Sequence, residues 1–427
     1  MGAPHGAIPD THLAITFHGK CIVKVETVPA PRLQEAGDAI VQVDLCGLCG
    51  SDLHPYHCRE QGLDAGTVMG HEFVGHVVQT GKQAGRQAGR AGVQQFKAGD
   101  RVMSPFTASC GACFYCRHNL TARQVMPASG GCALGLHGAQ AQYVRVPMAD
   151  ATLALVPPDV SDEEALLLGD IFSTAYFAAC NAGIAELAAI AAVQREAGPV
   201  VAIVGCGPVA LLAVLGAREL GAASVFAIDS VPERLAMAER FGAVPLNRDQ
   251  LDPVAAVREA TGGRGADCVL EVVGSPSALR TAMDLVRPGG TISSVGCHTE
   301  ATFPFSPVTA YNKNITYRSG RCSARCVYGL TAVHSGAAAH RPGLILRRSA
   351  CCQATCLPSS AWCRYYMECL LPLVRSKKYD ITAVISHRLP LSAGVEAYQL
   401  FDSRAAGCTK VVMRPWQQEE PQEQLEA

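Results

Sequence analysis

The chain has 427 residues, a length that points to two or three domains rather than one core. With 49% hydrophobic and 17% charged residues it reads as globular, and a formal net charge of -1 lacks the basic excess that nucleic acid or an anionic membrane surface calls for. No run of about 18 uninterrupted apolar residues announces a membrane span.

The 20 cysteines do not form a small disulfide framework. The first 30 residues, which include Asp10, Lys20, Lys24 and Glu26, carry neither a long apolar run nor an Arg-rich leader. Reduced thiols and metal ligands in a cytoplasmic setting are expected. From Leu13 to Val43, short alternating runs separated by Gly, Pro and charges predict β-strands, and similar runs recur at His76–Gln79, Asp100–Met103 and Ala141–Pro147. The first 165 or so residues thus predict a mainly β unit with long loops. Lys82 to Gln95 is glycine-rich and basic, suited to an exposed loop tip.

Within this unit the stretch from Asp44 to Gly75 concentrates Cys46, Cys49, Ser51, Asp52 and His54, then His71 and Glu72 in a glycine frame. Thiolate plus imidazole is a zinc-favouring pair. Ligand clusters about 22 residues apart must be joined by folding rather than by one helix. Cys110, Cys113 and Cys116 follow at CxxCxxC spacing, which directs three sulfurs to one point; Cys132 is the nearest fourth. Ser161 is placed to cap a helix whose first turn is acidic. That run ends at Asp170, a carboxylate on an apolar stretch, readable by itself as a helix cap or as a ligand.

The most regular segment comes next. Pro199–Val204 is an apolar run that ends in Gly205, Cys206, Gly207, Pro208, Val209 and Ala210; a helical run follows, then a second apolar strand that ends on Asp229. Strand, glycine turn, helix, strand and acid come in the order of a dinucleotide fold, with the helix N-terminus offering N–H groups to the pyrophosphate. A carboxylate at Asp229 suits a ribose 2′-hydroxyl and repels a 2′-phosphate, which favours NAD over NADP, although Arg234 could contact ribose or phosphate. Strand and helix stretches then alternate as far as Arg318 and predict an α/β, doubly wound parallel sheet, with nicotinamide contacts near Val273, Val295 and Gly296. From Cys326 to Cys363 there is no acid and no periodicity; this segment reads as an unstructured insertion or as translated intron. Helical and strand patterns return from Tyr365 to Met413, with Pro372 weakening the first helix.

Taken in order, CGLCGSDLH, GHEFVG, FKAGDRV, CGACFYC, GDIFSTAYF, GCGPVALLA and FAID resemble the zinc-dependent alcohol dehydrogenases of the medium-chain dehydrogenase/reductase superfamily, from about Leu13 to Pro415 apart from the two insertions. The resemblance implies a mainly β GroES-like catalytic domain over 1–172, a Rossmann NAD-binding domain over 173–320, and a return to the catalytic domain over 321–427. It implies Cys49, His71 and Asp170 as ligands of a catalytic zinc, with Cys46 a buried neighbour, Glu72 close to the metal and Asp52 orienting His71. Ser51 and His54 match a proton relay, Thr174 is placed against the nicotinamide, and Lys410 is expected to reach the cofactor pyrophosphate. For the structural zinc, the fourth cysteine expected eight residues after Cys116 falls on Gln124, so either Cys132 substitutes or the lobe is metal-free.

The function implied is hydride transfer between an alcohol (primary, secondary or polyol) and NAD, giving aldehyde or ketone, by a homodimer or homotetramer acting on a small molecule. Two other readings stand beside it. A zinc-free NADPH quinone or enal reductase of the same superfamily would lack the Cys/His/acid set. A non-catalytic NAD- or zinc-binding protein would bind cofactor without turnover.

Overall fold

The computed structural model describes residues 7–60, 63–82, 92–118, 120–123, 136–323 and 366–417. Cys132 and the whole of 326–363 lie outside the described residues, as does most of the glycine-rich loop after Lys82. The strands among the described residues are β1 (Thr11–Gly19), β2 (Ile22–Pro29), β3 (Ala39–Leu48), β4 (Phe73–Thr80), β5 (Arg101–Met103), β6 (Tyr143–Val146), β7 (Ala154–Leu155), β8 (Val200–Val204), β9 (Ser224–Asp229), β10 (Val244–Asn247), β11 (Ala266–Glu271), β12 (Val286–Ser294), β13 (Thr316–Ser319), β14 (His387–Pro390) and β15 (Val411–Arg414). The chain divides into two compact units: residues 1–116, 123–170 and 373–427 form the first, and residues 117–122 and 171–372 the second.

The first unit is built on a mixed sheet of order β14-β15-β3-β4-β5-β7, with β6 also paired to β3, and on the antiparallel hairpin β1–β2. β3 is central and nearly all its residues are buried, so its sequence (AIVQVDLCGL) is apolar almost throughout rather than alternating. Its antiparallel register against β4 sets Cys46 opposite Phe73. The chain leaving β3 through Cys49 and the chain entering β4 from His71 and Glu72 therefore meet at the same end of the sheet. Ile15, Val41, Leu48, Phe73, Tyr398 and Met413 belong to the core of this unit.

The helix Asp162–Gly169 completes the frame. Ser161 Oγ accepts a hydrogen bond from the Glu164 amide at 3.2 Å while the Glu164 carboxylate accepts one from the Ser161 amide at 2.9 Å, a capping box that fixes the helix start. At the other end Asp170 leaves helical geometry (φ -139°, ψ -71°). The carboxylate is thus both the cap of this helix and, as shown below, part of the site.

The second unit carries a six-stranded parallel sheet of order β10-β9-β8-β11-β12-β13, the doubly wound Rossmann arrangement. Its connecting helices Pro208–Glu219, Pro232–Arg240, Pro253–Ala260 and Pro276–Leu285 all begin with proline, whose fixed φ and missing N–H suit a first helical turn. Strand order reverses between β8 and β11, which places the loops after both strands at the switch point where such sheets take ligands. Pro372 lies inside the helix Tyr366–Arg375 without ending it. Ile381 to Leu391 holds a 3-10 turn, Ile381–Val384, ahead of β14. No single described helix is long and apolar enough to cross a membrane.

Candidate active site

Cys49, His71 and Asp170 converge. Their ligand atoms all lie within 4.8 Å of one another, and all three residues are buried. Cys49 Sγ is 3.4 Å from Asp170 Oδ2, and the same oxygen is 3.3 Å from His71 Nε2. On its other side the imidazole meets Asp52, with Nδ1 at 3.1 Å from Oδ1. Asp52 holds the ring so that Nε2 faces Cys49 and Asp170. Ser51 Oγ stands 3.2 Å from that Nε2. His54 is buried three residues further on, in the short helix Leu53–Tyr56.

The electrostatics of this cluster favour a cation. Burial pushes the Cys49 thiol above its ordinary value, and Asp170 and Glu72 push it further. Burial opposes charge on His71, yet Asp52 and Asp170 hold its pKa well above the usual range. For Asp170, burial works upward but the hydrogen bond from His71 prevails, and the carboxyl stays low. A thiol, an imidazole and a carboxylate in one buried spot form a zinc-type donor set, and three protein ligands leave one position for a substrate oxygen. The divalent charge would also stabilise the thiolate that burial disfavours.

Glu72 and Lys410 lie behind this set. Lys410, expected at the cofactor pyrophosphate, is instead fully buried in the first unit. Its ammonium donates to the Glu72 carboxylate and to the Leu48 carbonyl at 3.0 Å. The cause is the sheet pairing: β15 pairs with β3, and a lysine just ahead of β15 finds its counter-charge across the sheet rather than in solvent. Burial pushes Glu72 up to about 7 against the pull of Lys410. A Cβ on Gly47 would sit 2.1 Å from Glu72 Oε2, so the close approach of the carboxylate needs glycine at that point of β3.

A second layer escaped the sequence reading. Gln140 Nε2 donates to the Gly47 carbonyl at 3.1 Å and to Asp52 Oδ2 at 3.3 Å, while Gln140 Oε1 accepts from the Tyr398 hydroxyl at 2.8 Å. Asp52 Oδ2 also accepts the Cys49 amide at 2.9 Å. The aspartate that orients His71 is thereby held from three sides. No local pattern marks Gln140 or Tyr398, because their partners are remote in sequence.

In the second unit the glycine turn takes the shape a pyrophosphate requires. Gly205 has φ +97°, and a Cβ there would meet Val273 Cγ2 at 2.6 Å, whereas a Cβ on Gly207 would meet nothing within 4 Å. Gly207 is the N-cap of helix Pro208–Glu219, with Val209 in its first turn, so open space faces the unpaired N–H groups of a twelve-residue helix. Asp229 ends β9, accepting the Cys206 amide at 2.6 Å and the Ser230 amide at 2.7 Å. Arg234 is buried in the first turn of its helix. Val273 and the half-buried Val295 and Gly296 follow β11 and β12, and a Cβ on Gly296 would sit 2.1 Å from the Gly274 amide. Thr174 is half-buried on helix Ile171–Asn181.

This loop pair is braced by Glu271, which the sequence reading passed over although it ends an apolar strand just as Asp229 does. Its oxygens accept from the Val273 and Gly274 amides at 2.9 and 2.7 Å and from Ser294 Oγ at 2.7 Å, and one lies 2.9 Å from His298 Nε2.

The sulfurs of Cys110, Cys113 and Cys116 also lie within 4.8 Å of one another. The hydrogen bond from the Cys116 backbone is the main cause that lowers Cys113 to about 7, and burial pushes Cys116 up to about 12.

Residues 35–158 match the alcohol dehydrogenase GroES-like domain and residues 208–330 the zinc-binding dehydrogenase family. Over 305 residues the chain is 47% identical to the medium chain reductase/dehydrogenase ucsI of an Acremonium species, covering 71% of this chain and 99% of that one. The chain belongs to the zinc-binding alcohol dehydrogenase family. Another member, zinc-type alcohol dehydrogenase B of Aspergillus flavus, is 43% identical over 318 residues, covering 74% of this chain and 70% of that one. Among solved structures, alcohol dehydrogenase TADH from Thermus sp. ATN1 aligns with a TM-score of 0.74 at 35% identity, covering 94% of this chain and 99% of that one. The dehydrogenase is thus a zinc-type, nicotinamide-dependent oxidoreductase with a GroES-like domain and a Rossmann sheet.

Proposed function

We propose that this dehydrogenase interconverts an alcohol, primary, secondary or polyol, and its aldehyde or ketone with NAD, at a zinc held by Cys49, His71 and Asp170. The observation that carries the reading is the convergence of these three buried side chains, a donor set that a zinc-free reductase has no use for. When bound, zinc supplies a Lewis acid that lowers the pKa of the alcohol, and the nicotinamide supplies the hydride acceptor. The protein's own part is to position groups and to move a proton. Asp52 holds the His71 ring, and Gln140, itself held by the Tyr398 hydroxyl, holds Asp52. The Ser51 hydroxyl, 3.2 Å from His71 Nε2, accepts the proton that leaves the substrate oxygen while passing its own onward, and His54 is the residue assigned to receive it.

NAD rather than NADP is supported by Asp229, which ends the second strand of the Rossmann sheet, where its charge repels a 2′-phosphate. The reading is tested by zinc analysis and NADH formation over a panel of alcohols, for the wild type and Cys49→Ser. Loss of both zinc at this site and turnover in the variant is expected. Retention of both would overturn the site, and a higher kcat/KM with NADP than with NAD would overturn the cofactor choice.

A further inference from the structure

A further constellation of reactive side chains lies in the first unit and shares no residue with Cys49, His71 and Asp170 or with the Cys110–Cys116 cluster. Cys21 stands at the tip of the β1–β2 hairpin, exposed and in the left-handed conformation (φ 58°), its amide tied to the Tyr56 carbonyl at 2.7 Å. Its sulfur lies 3.3 Å from His57 Nδ1. His57 Nε2 in turn lies 2.7 Å from Asp402 Oδ1, on the helix Gly394–Ser403. A carboxylate holding one imidazole nitrogen, with the other turned to a thiol, is the nucleophile, base and orienting-group arrangement of cysteine chemistry. A His57–Asp402 pair that only pinned the short helix Leu53–Tyr56 to its neighbour would need no thiol on the far side of the ring. The hairpin puts one there, and it is open to solvent.

We propose that Cys21, His57 and Asp402 form a thiol-exchange site at which Cys21 is modified by small disulfides. Asp402 accepts from Nε2–H, which leaves Nδ1 as the acceptor facing the thiol. His57 takes the Cys21 proton, and the thiolate attacks one sulfur of the disulfide. The old S–S bond breaks, the Cys21 mixed disulfide forms, and the departing thiolate takes the proton from His57 and leaves as a free thiol. The disulfide is the only oxidant the balance needs. Cys58 offers an internal reference: it is exposed and follows His57 directly in the chain, yet no imidazole contacts it among the described residues.

The test incubates the full-length protein with glutathione disulfide and follows the mixed disulfides at Cys21 and Cys58 by peptide mass spectrometry. Cys21 is expected to react at least about tenfold faster than Cys58. His57→Gln is expected to bring Cys21 down to the Cys58 rate while Cys58 itself does not change, with folding followed by circular dichroism. Asp402→Asn, which leaves the imidazole in place but loosens its tautomer, should lower the Cys21 rate alone and serves if the first variant does not fold. A Cys21 rate no greater than that of Cys58, or one unmoved in the folded variants, would overturn the proposal.

Discussion

Replacing Lys410 by methionine keeps most of the buried stem and removes the ammonium. Glu72 then holds a carboxylate in the interior with no counter-charge; its Oε1 already has no hydrogen-bond partner among the described residues. The Leu48 carbonyl loses its donor. Breaking a buried pair from one side costs about 3–5 kcal/mol, and the orphaned carbonyl adds roughly 1 kcal/mol. Against the 5–15 kcal/mol typical of a folded domain this is a large loss, read as a lower urea midpoint at unchanged slope. Two further outcomes follow from the same reasoning. The loss should be smaller at pH 5 than at pH 8, because Glu72, already raised to about 7 by burial, escapes the penalty by protonation once its cation is gone. The double variant Lys410→Met/Glu72→Gln should recover at least half of the lost stability, since no charge is left stranded. An unchanged midpoint together with a raised KM for the nicotinamide cofactor would refute this account and return Lys410 to the pyrophosphate.

The two glycines of the dinucleotide turn should separate stability from binding. Gly205→Ala is expected to lower Tm, because φ +97° and the Val273 contact both oppose a Cβ. Gly207→Val should leave Tm near wild type and weaken nicotinamide binding in a fluorescence titration, as its side chain would fill the open space at the helix N-terminus. Tyr398→Phe leaves Gln140 Oε1 unpaired in the core; a loss of about 1–3 kcal/mol and a fall in kcat larger than any change in KM are expected from urea unfolding and steady-state kinetics. The Glu271–His298 pair predicts a pH window. His298 is raised above its ordinary 6.5 by the hydrogen bond to Glu271, so its contribution is complete below pH 6.5 and fades as pH rises through the folded value. Glu271 is buried, which works upward, but its hydrogen bonds, that from His298 foremost, hold it below 4.5; its contribution is present above pH 4.5 and fades in acid. The Tm gap between wild type and His298→Gln should therefore be widest between pH 4.5 and 6.5, and a gap that widens above pH 7 would contradict the pairing.

Features written in neighbouring residues are legible in the sequence itself. The Ser161 cap, the strand–glycine–helix–acid order from Val200 to Asp229 and the cysteine spacing at 110, 113 and 116 depend on contacts close in sequence, and the structure returns each of them. Asp170 was ambiguous for a physical reason: a carboxylate that caps a helix and one that meets Cys49 look alike in sequence, and here one residue does both. The sequence around Lys410 does not reveal its place, because its partner Glu72 is 338 residues away and meets it only through the β15–β3–β4 pairing. Gln140 and Tyr398 were invisible for the same reason. Glu271 was within reach, since an acid that closes an apolar strand carries the same signal as Asp229.

Gln140 has a consequence for anyone who would graft this site onto another scaffold. Its amide has a direction: nitrogen toward Gly47 and Asp52, oxygen toward Tyr398. Glutamate would turn an acceptor on Asp52, methionine would satisfy none of the three partners, and asparagine is one methylene too short to span them. The Gly70 position, where a Cβ would come within 2.4 Å of the Gln140 stem, is bound to the same choice. A transplant of Cys49, His71 and Asp170 alone would carry the letters of the site without its grammar. The smallest portable unit includes Asp52, Gly70, Gln140 and Tyr398, four residues spread over much of the chain.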